Sequence, residues 1–292
     1  MSVFVTGAES FVGHALTAAC DEAGILIEGV DHVQSVSPRW QHADIRDPAL
    51  ADLIPNGSIV VHLAAVSRDS DCRSDPMTAF DVNVNGTLNV ADAARQRGCP
   101  QIVFASSEWV YGDVANTSVQ VEEAAIDGTR LDSEYAISKL VAERLLQLGS
   151  YVPGTTILRF GIIYGPRDSN FSAVESLLKK VYAGDRLEIG SGRTARRFIH
   201  VDDIAAGIVA SFGRRGCEVF NLCGSDLVSL RDVVEASARI TGMAVDLVET
   251  APDRPSIRNP VNDRALRELS WRPEIDLEEG LRSVLEGFEA VR

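Results

Sequence analysis

Tyr135 and Lys139 stand four residues apart in YAISK, a spacing that puts phenol and ammonium on one helix face, a turn apart. A cation held close to a phenol lowers its pKa from ~10 toward the range in which it works as a general base. The pair therefore reads as proton-transfer machinery, although a Tyr/Lys pair at this spacing is by itself also an ordinary feature of solvated helix surfaces. Ser106 and Ser107 end the apolar run QIVFASS. Parallel sheets bind ligands outside the carboxyl ends of their strands, so a serine there is placed to meet a reacting group.

A third element gives these residues something to act on. In VTGAESFVG, residues 5 to 13, Gly7 is placed to make a tight turn and Gly13 to let a helix pack on a strand; Ser10 stands where a dinucleotide-binding turn usually has its middle glycine. Phe11 and Val12 then open a helix whose N-terminal N–H groups attract phosphate. Ser10 is small and its hydroxyl can donate to a phosphate oxygen, so the turn reads as modified and not lost. About twenty residues on, the next apolar run ends in Val30-Asp31-His32. A carboxylate there accepts from the adenosine ribose hydroxyls and repels a 2′-phosphate, which favours NAD over NADP.

These groups need a scaffold. VFVT, ILIEGV, SIVVHLAA, QIVFASS and TTILRF alternate with helical patterns, the signature of a doubly wound, Rossmann-like parallel α/β sheet with right-handed crossovers. Asp75-Pro76 starts a helix expected to run from Met77 to about Arg97 and stop at Gly98; another spans about Asp132 to Leu148. Past residue 160 the rhythm loosens. The expected division is a nucleotide-binding domain over 1–160, with strands contributed from about 197–223, and a smaller substrate-binding lobe interleaved over 161–292.

A net charge of −14 opposes nucleic acid as a partner, and no apolar run is long enough for a membrane span. Five cysteines without C-x-x-C spacing predict free thiols and a cytoplasmic protein. The five histidines lack metal-ligand spacing, so no metal is expected, and His62 and His200, in apolar strand contexts, read as buried structural residues.

In order and spacing, TGAESFVG, VDHV, ADIRD, VVHLAA, NVNGTLNVADAA, FASSEWVYGD, YAISK, LRFGIIYGPR and RRFIHVDDIAAGI make the chain resemble the extended short-chain dehydrogenase/reductases, the NAD-dependent sugar-nucleotide epimerases and dehydratases. The resemblance implies that Asp44 and Ile45 flank the adenine, that Leu63, Ala64 and Ala65 line the cofactor groove with Asn83 beside it, and that Ser106 and Lys139 also serve the cofactor. It implies that Ser107 orients the substrate oxygen, and that Arg196, with Arg254 or Arg258, grips a substrate phosphate. It also implies a homodimer through the helices at about 76–97 and 132–149. Two positions depart from the pattern. Ile162 replaces a frequent asparagine that helps hold the substrate diphosphate. At Glu108-Trp109 the dehydratases carry two acids: the first survives as Glu108, a candidate catalytic residue that would protonate or position the substrate, or else an incidental carboxylate at a strand end, and at Trp109 indole has no basic lone pair with which to replace the second. The leading expectation is thus an epimerase that transiently oxidises the fourth carbon of a nucleotide-linked sugar. A single-pass dehydrogenase or ketoreductase and a silent NAD-sensing regulator are the alternatives.

Overall fold

The computed structural model describes residues 1–114, 117–169 and 171–290. Among these, seven strands form the main sheet: β1 (Ser2–Thr6), β2 (Leu26–Asp31), β3 (Trp40–His42), β4 (Ile59–His62), β5 (Gln101–Ser107), β6 (Gly154–Phe160) and β7 (Gly216–Leu222), in the order β7-β6-β5-β4-β1-β2-β3. The pairings that run from β3 through β2, β1 and β4 to β5 are parallel. The order reverses direction between β1 and β4, which makes their carboxyl ends the switch point where such sheets take ligands. β4, β5 and β6 are buried along their whole length, as strands covered on both faces must be. β3 is short and half exposed, and its WQH lacks the β-branched run that marks the others; no strand is expected there from the sequence.

The expected helix over 77–97 is broken. A separate short helix, α2 (Asp69–Ser74), precedes it, and the stretch itself divides into α3 (Pro76–Phe80), a π-helical turn over Asp81–Gly86, and α4 (Thr87–Gln96). Asp75 caps α3 by accepting from Thr78 N–H, with Pro76 in the first turn. The widened turn follows from Asn83, whose side chain accepts from Val66 N–H at 2.8 Å and donates to Val66 O at 3.0 Å. The helix that carries Tyr135, α5 (Glu134–Gly149), is close to expectation, with Ser133 as its N-cap.

Two compact units result. The first comprises 1–112, 125–159 and 205–220; the second comprises 113–124, 160–204 and 221–292. The stretch 113–124, expected in the first domain, joins the second because its backbone pairs with the C-terminal segment: Val114 N–H donates to Ile257 O and Gln120 N–H to Asn259 O. In the first unit, Phe4, Val30, Val60, Ile102, Phe104 and Ile157 of the sheet pack against Val90, Ala91 and Ala94 of α4 and Ala142 and Leu146 of α5. Each large side chain removed from water there contributes ~1.5–3 kcal/mol, and together they hold α5 against the sheet. The second unit has its own core around Leu177, Leu178, Val233, Val234, Leu281 and Val284.

Candidate active site

The turn after β1 is fixed by its backbone. Gly7 has φ +78°, and a Cβ there would stand 2.8 Å from Ala64 N; one on Gly13 would stand 2.5 Å from Ala8 O. Both positions therefore require glycine. Position 10 does not. Ser10 is extended, at φ −74° and ψ 162°, and caps α1 (Phe11–Glu22), its hydroxyl accepting from Gly13 N–H at 3.1 Å. It keeps its own proton for donation. Gly7 and Ala8 N–H both donate to Val30 O, so the turn lies against the end of β2. There the buried Asp31 accepts from Glu9 N–H and Val33 N–H, each at 2.9 Å, and stands 3.0 Å from His32 Nδ1. Oδ2, which accepts from Glu9 N–H, retains a second lone pair. A backbone that admits no Cβ at Gly7 or Gly13, a helix start at Phe11 and Val12, and an oriented carboxylate at the second strand end fit a dinucleotide.

Leu63, Ala64 and Ala65 follow β4 directly and are half-buried, with Leu63 N–H donating to Thr6 O. The Asp44 carboxylate is exposed and engaged by Arg46, whose cation holds it below the usual carboxylate range. The Ile45 side chain is buried in the core, so what it can offer an adenine is its backbone.

At the head of α5, the Ser133 hydroxyl accepts from Ala136 N–H and donates to Asp69 Oδ1 at 2.6 Å. One turn of helix then carries Tyr135 and Lys139. Ser107 is hydrogen-bonded to the Tyr135 phenol, yet burial outweighs that bond and pushes the phenol up to about 12. The depression expected from Lys139 is absent. Its Nζ lies 6.0 Å from the Tyr135 ring centroid and donates to Ala105 O at 2.8 Å, and burial pushes the ammonium itself down to about 8. Trp109 meets the Tyr135 ring edge-on, centroids 6.2 Å apart, and Glu108 beside it is fully buried.

Two residues expected at the cofactor have other work. Neighbouring strand residues face opposite sides of a sheet. Ser107 faces Tyr135, and Ser106 faces away, donating to Glu143. Asn83 spends its side-chain amide on Val66 and on Ser138 Oγ, at 3.0 Å, and so clamps the segment after β4 to α5. Glu143 and Arg159, which pair at 2.7 Å, are absent from the sequence-derived site. Their signal is faint but present: an arginine inside the apolar run TTILRF, and an acid one turn past Lys139. Charges in such contexts are rarely buried unless paired. His62 bonds Thr6 at 2.7 Å and Thr87 at 2.9 Å, and burial pushes it down to about 3; His200 is buried against Ser283 and the Tyr164 ring.

In the second unit, two of the expected arginines meet one acid. Asp113 Oδ1 lies 3.1 Å from Arg258 Nε and 3.9 Å from Arg196 Nη2. Arg196 also donates to Ser256 O at 2.7 Å, and Arg258 is buried, its N–H donating to Ala195 O. Arg254 is exposed and outside this group, so Arg258 is the partner that the fold brings to Arg196. Ile162 packs against the apolar core of the same unit.

Comparison with known proteins gives the family of the chain. A GDP-6-deoxy-D-mannose reductase of Pseudomonas aeruginosa is 27% identical over 99% of this chain and 97% of its own. A UDP-glucuronate 4-epimerase of Thermodesulfobacterium geofontis is 28% identical over 95% and 93%. Among solved structures, the Thermus thermophilus UDP-glucose 4-epimerase in complex with NAD superposes with a TM-score of 0.81 at 25% identity, covering all of both chains. The profile of the NAD dependent epimerase/dehydratase family matches residues 3–223, most of the chain, and the protein belongs to that family.

Proposed function

We propose that the protein is an NAD-dependent epimerase that inverts the fourth carbon of a nucleotide-linked sugar, with a UDP-linked hexose or hexuronate as the substrate class. The observation that carries this reading is the hydrogen-bonded Ser107–Tyr135 pair with Lys139 beneath it, in the same unit as the Gly7 turn and Asp31. NAD, when bound, supplies a hydride acceptor that also serves as donor. Gly7, Ser10, Gly13 and Asp31 would hold it. Tyr135 acts as its phenolate, formed by loss of the phenol proton to solvent when the positive charges of Lys139 and of a bound nicotinamide bring the phenol down from about 12; Oη then takes the proton of the reacting hydroxyl and returns it, while Ser107 fixes the direction of that oxygen. Lys139 supplies a positive charge and a donor for the nicotinamide ribose. Arg196 and Arg258 balance the negative charge of the diphosphate, which suits a pair of guanidinium forks.

Trp109 separates this reading from elimination. The side chain beside the phenol is an indole, which abstracts no proton, so loss of water lacks a base. The similarity to a reductase favours a single-pass ketoreductase or dehydrogenase as the second reading. The presence of both Tyr135 and Lys139 disfavours a silent NAD sensor. The family resemblance also supports a homodimer.

The test is to incubate the enzyme and NAD with UDP-glucose, UDP-glucuronate and GDP-linked hexoses and follow mass and mobility. Unchanged mass with altered mobility is the expected result. Loss of two hydrogens would establish the dehydrogenase, and loss of water would refute the argument from Trp109.

A further inference from the structure

A charged cluster that this chemistry does not use lies next to the Tyr135–Lys139 pair. Glu143 stands one turn beyond Lys139 on α5, with its side chain wholly buried, and Arg159 on β6 is 5% exposed. Arg159 donates to Glu143 in a fork, Nε to Oε1 at 3.0 Å and Nη2 to Oε2 at 2.7 Å, and the Ser106 hydroxyl donates to Oε1 as well. Through Nη1, Arg159 donates to Tyr111 Oη at 2.9 Å, with its guanidinium 4.8 Å from that ring's centroid. Tyr111 closes the short helical turn over Glu108–Tyr111 that follows β5.

The cluster thus joins α5, the end of β5, the turn after β5 and β6. Three of these carry the proposed chemistry: α5 holds Tyr135 and Lys139, β5 ends in Ser107, and the turn holds Trp109. Anchoring Ser106 Oγ on one face of β5 fixes the backbone from which Ser107 projects on the other. Desolvating two charges offsets most of what such a pair contributes to stability, and an apolar pair of similar volume serves stability as well or better. The two-bond fork supplies direction, which apolar packing does not.

We infer that Glu143 and Arg159 are positioning residues for the proton-transfer site, holding α5 in register with β5 and placing an Arg159-paired carboxyl group one turn from Lys139. The inference rests on the reading of Lys139 as a working part of that site. Facing Lys139 are Tyr135 and Glu143 from its own helix, Cys72 from α2, His62 from β4, and the Ala105 carbonyl and Phe104 ring from β5. Burial holds the Tyr135 phenol at about 12, the Cys72 thiol at about 11 and His62 at about 3, so each is neutral near pH 8. Lys139, pushed down to about 8 by burial, is then the group that changes charge, and Cys72 and, after it, Glu143 act against that fall.

The chain has three lysines, and Lys179 and Lys180 are exposed, so the side-chain carbons of 13C-labelled lysine resolve Lys139 by NMR titration of the whole protein. Glu143→Gln keeps size and an accepting oxygen but removes the charge. Its Lys139 midpoint should fall below that of the wild type, and with UDP-glucuronate or UDP-glucose as probe kcat should fall by up to ~10²-fold with KM little changed. Glu143→Asp retains the charge but withdraws it by a methylene. It should lower the midpoint less, and it carries the test if the glutamine variant does not fold. An unmoved Lys139 midpoint in either folded variant would overturn the inference. Full turnover by Tyr135→Phe would instead overturn the proposed function and leave the titration as it is.

Discussion

The glycine-rich turn and the Ser107–Tyr135 corner, both in the first unit, are built by opposite means. The turn is a backbone object. Two positions exclude any Cβ, the φ of Gly7 is positive, and the groups that shape it are N–H and C=O donors and acceptors from β1, β2 and the start of α1. The corner is a side-chain object, assembled from Ser107, Tyr135 and Lys139 with Ser106, Glu143 and Arg159 behind them, and its electrostatics are set by burial. Side chains at positions such as 10 can therefore vary in the turn at little cost, while the corner should respond steeply to the loss of single atoms.

The largest effect is expected at the corner. Tyr135→Phe removes one oxygen from a buried ring and leaves the packing, so turnover should fall by on the order of 10²- to 10⁴-fold while NAD affinity stays near wild type. Steady-state rates with a turned-over nucleotide sugar, beside an NAD titration, check both halves. A variant that retained its rate would remove the phenol from the mechanism.

His62, which bonds Thr6 at the end of β1 and Thr87 at the start of α4, yields the next effect. Burial holds it neutral with a pKa of about 3, against 6.5 for the exposed ring. Between those values the unfolded chain binds a proton that the folded chain refuses. The stability is fully present above pH 6.5 and is lost as pH falls toward 3, by several kcal/mol. Urea unfolding from pH 7 to 4 should show this slope, and His62→Gln should flatten it; an equal slope in both would place the acid sensitivity elsewhere.

Returning to the turn, Asp31→Asn exchanges a carboxylate for an amide at the end of β2. Hydrogen bonds to a charged acceptor are worth ~1.5–3 kcal/mol, so NAD should bind about 10- to 100-fold more weakly, and its advantage over NADP should shrink. Fluorescence titration with both cofactors measures this. An unchanged ratio of the two affinities would mean that Asp31 serves the turn through Glu9 N–H alone.

Legibility followed the same divide. The turn, the strand ends and the Tyr135–Lys139 spacing can be read from the chain because their causes are local: a glycine that must be glycine, a period of four, a carboxylate at a strand end. The side-chain partners of Ser106 and Asn83 cannot be read from the chain because they are distant in sequence. Ser106 turns to Glu143 and Asn83 to Val66 and Ser138, and which face of β5 a serine takes is set by strand register, which two adjacent serines in a sequence do not reveal. The raised phenol has the same origin. A cation four residues away predicts a lowered pKa, but the depth of burial, a property of the whole unit, decides the sign.

The smallest effects test the idea that the turn is indifferent to side chains at position 10. Ser10 is the N-cap of α1, and its hydroxyl satisfies the Gly13 N–H. Ser10→Ala leaves that donor without its cap and should cost ~1 kcal/mol of stability, whereas Ser10→Gly should cost only a few tenths, because glycine is itself an accepted N-cap. The extended backbone, at φ −74°, strains neither replacement. Thermal melts of the two variants should therefore rank glycine above alanine, the order set by capping alone. NAD affinity is the discriminating readout. If the turn binds through its backbone, both variants should hold NAD as the wild type does. If the serine proton is itself a phosphate donor, both should lose affinity together, whatever their stabilities, and the turn would then join the corner as a site held by side chains.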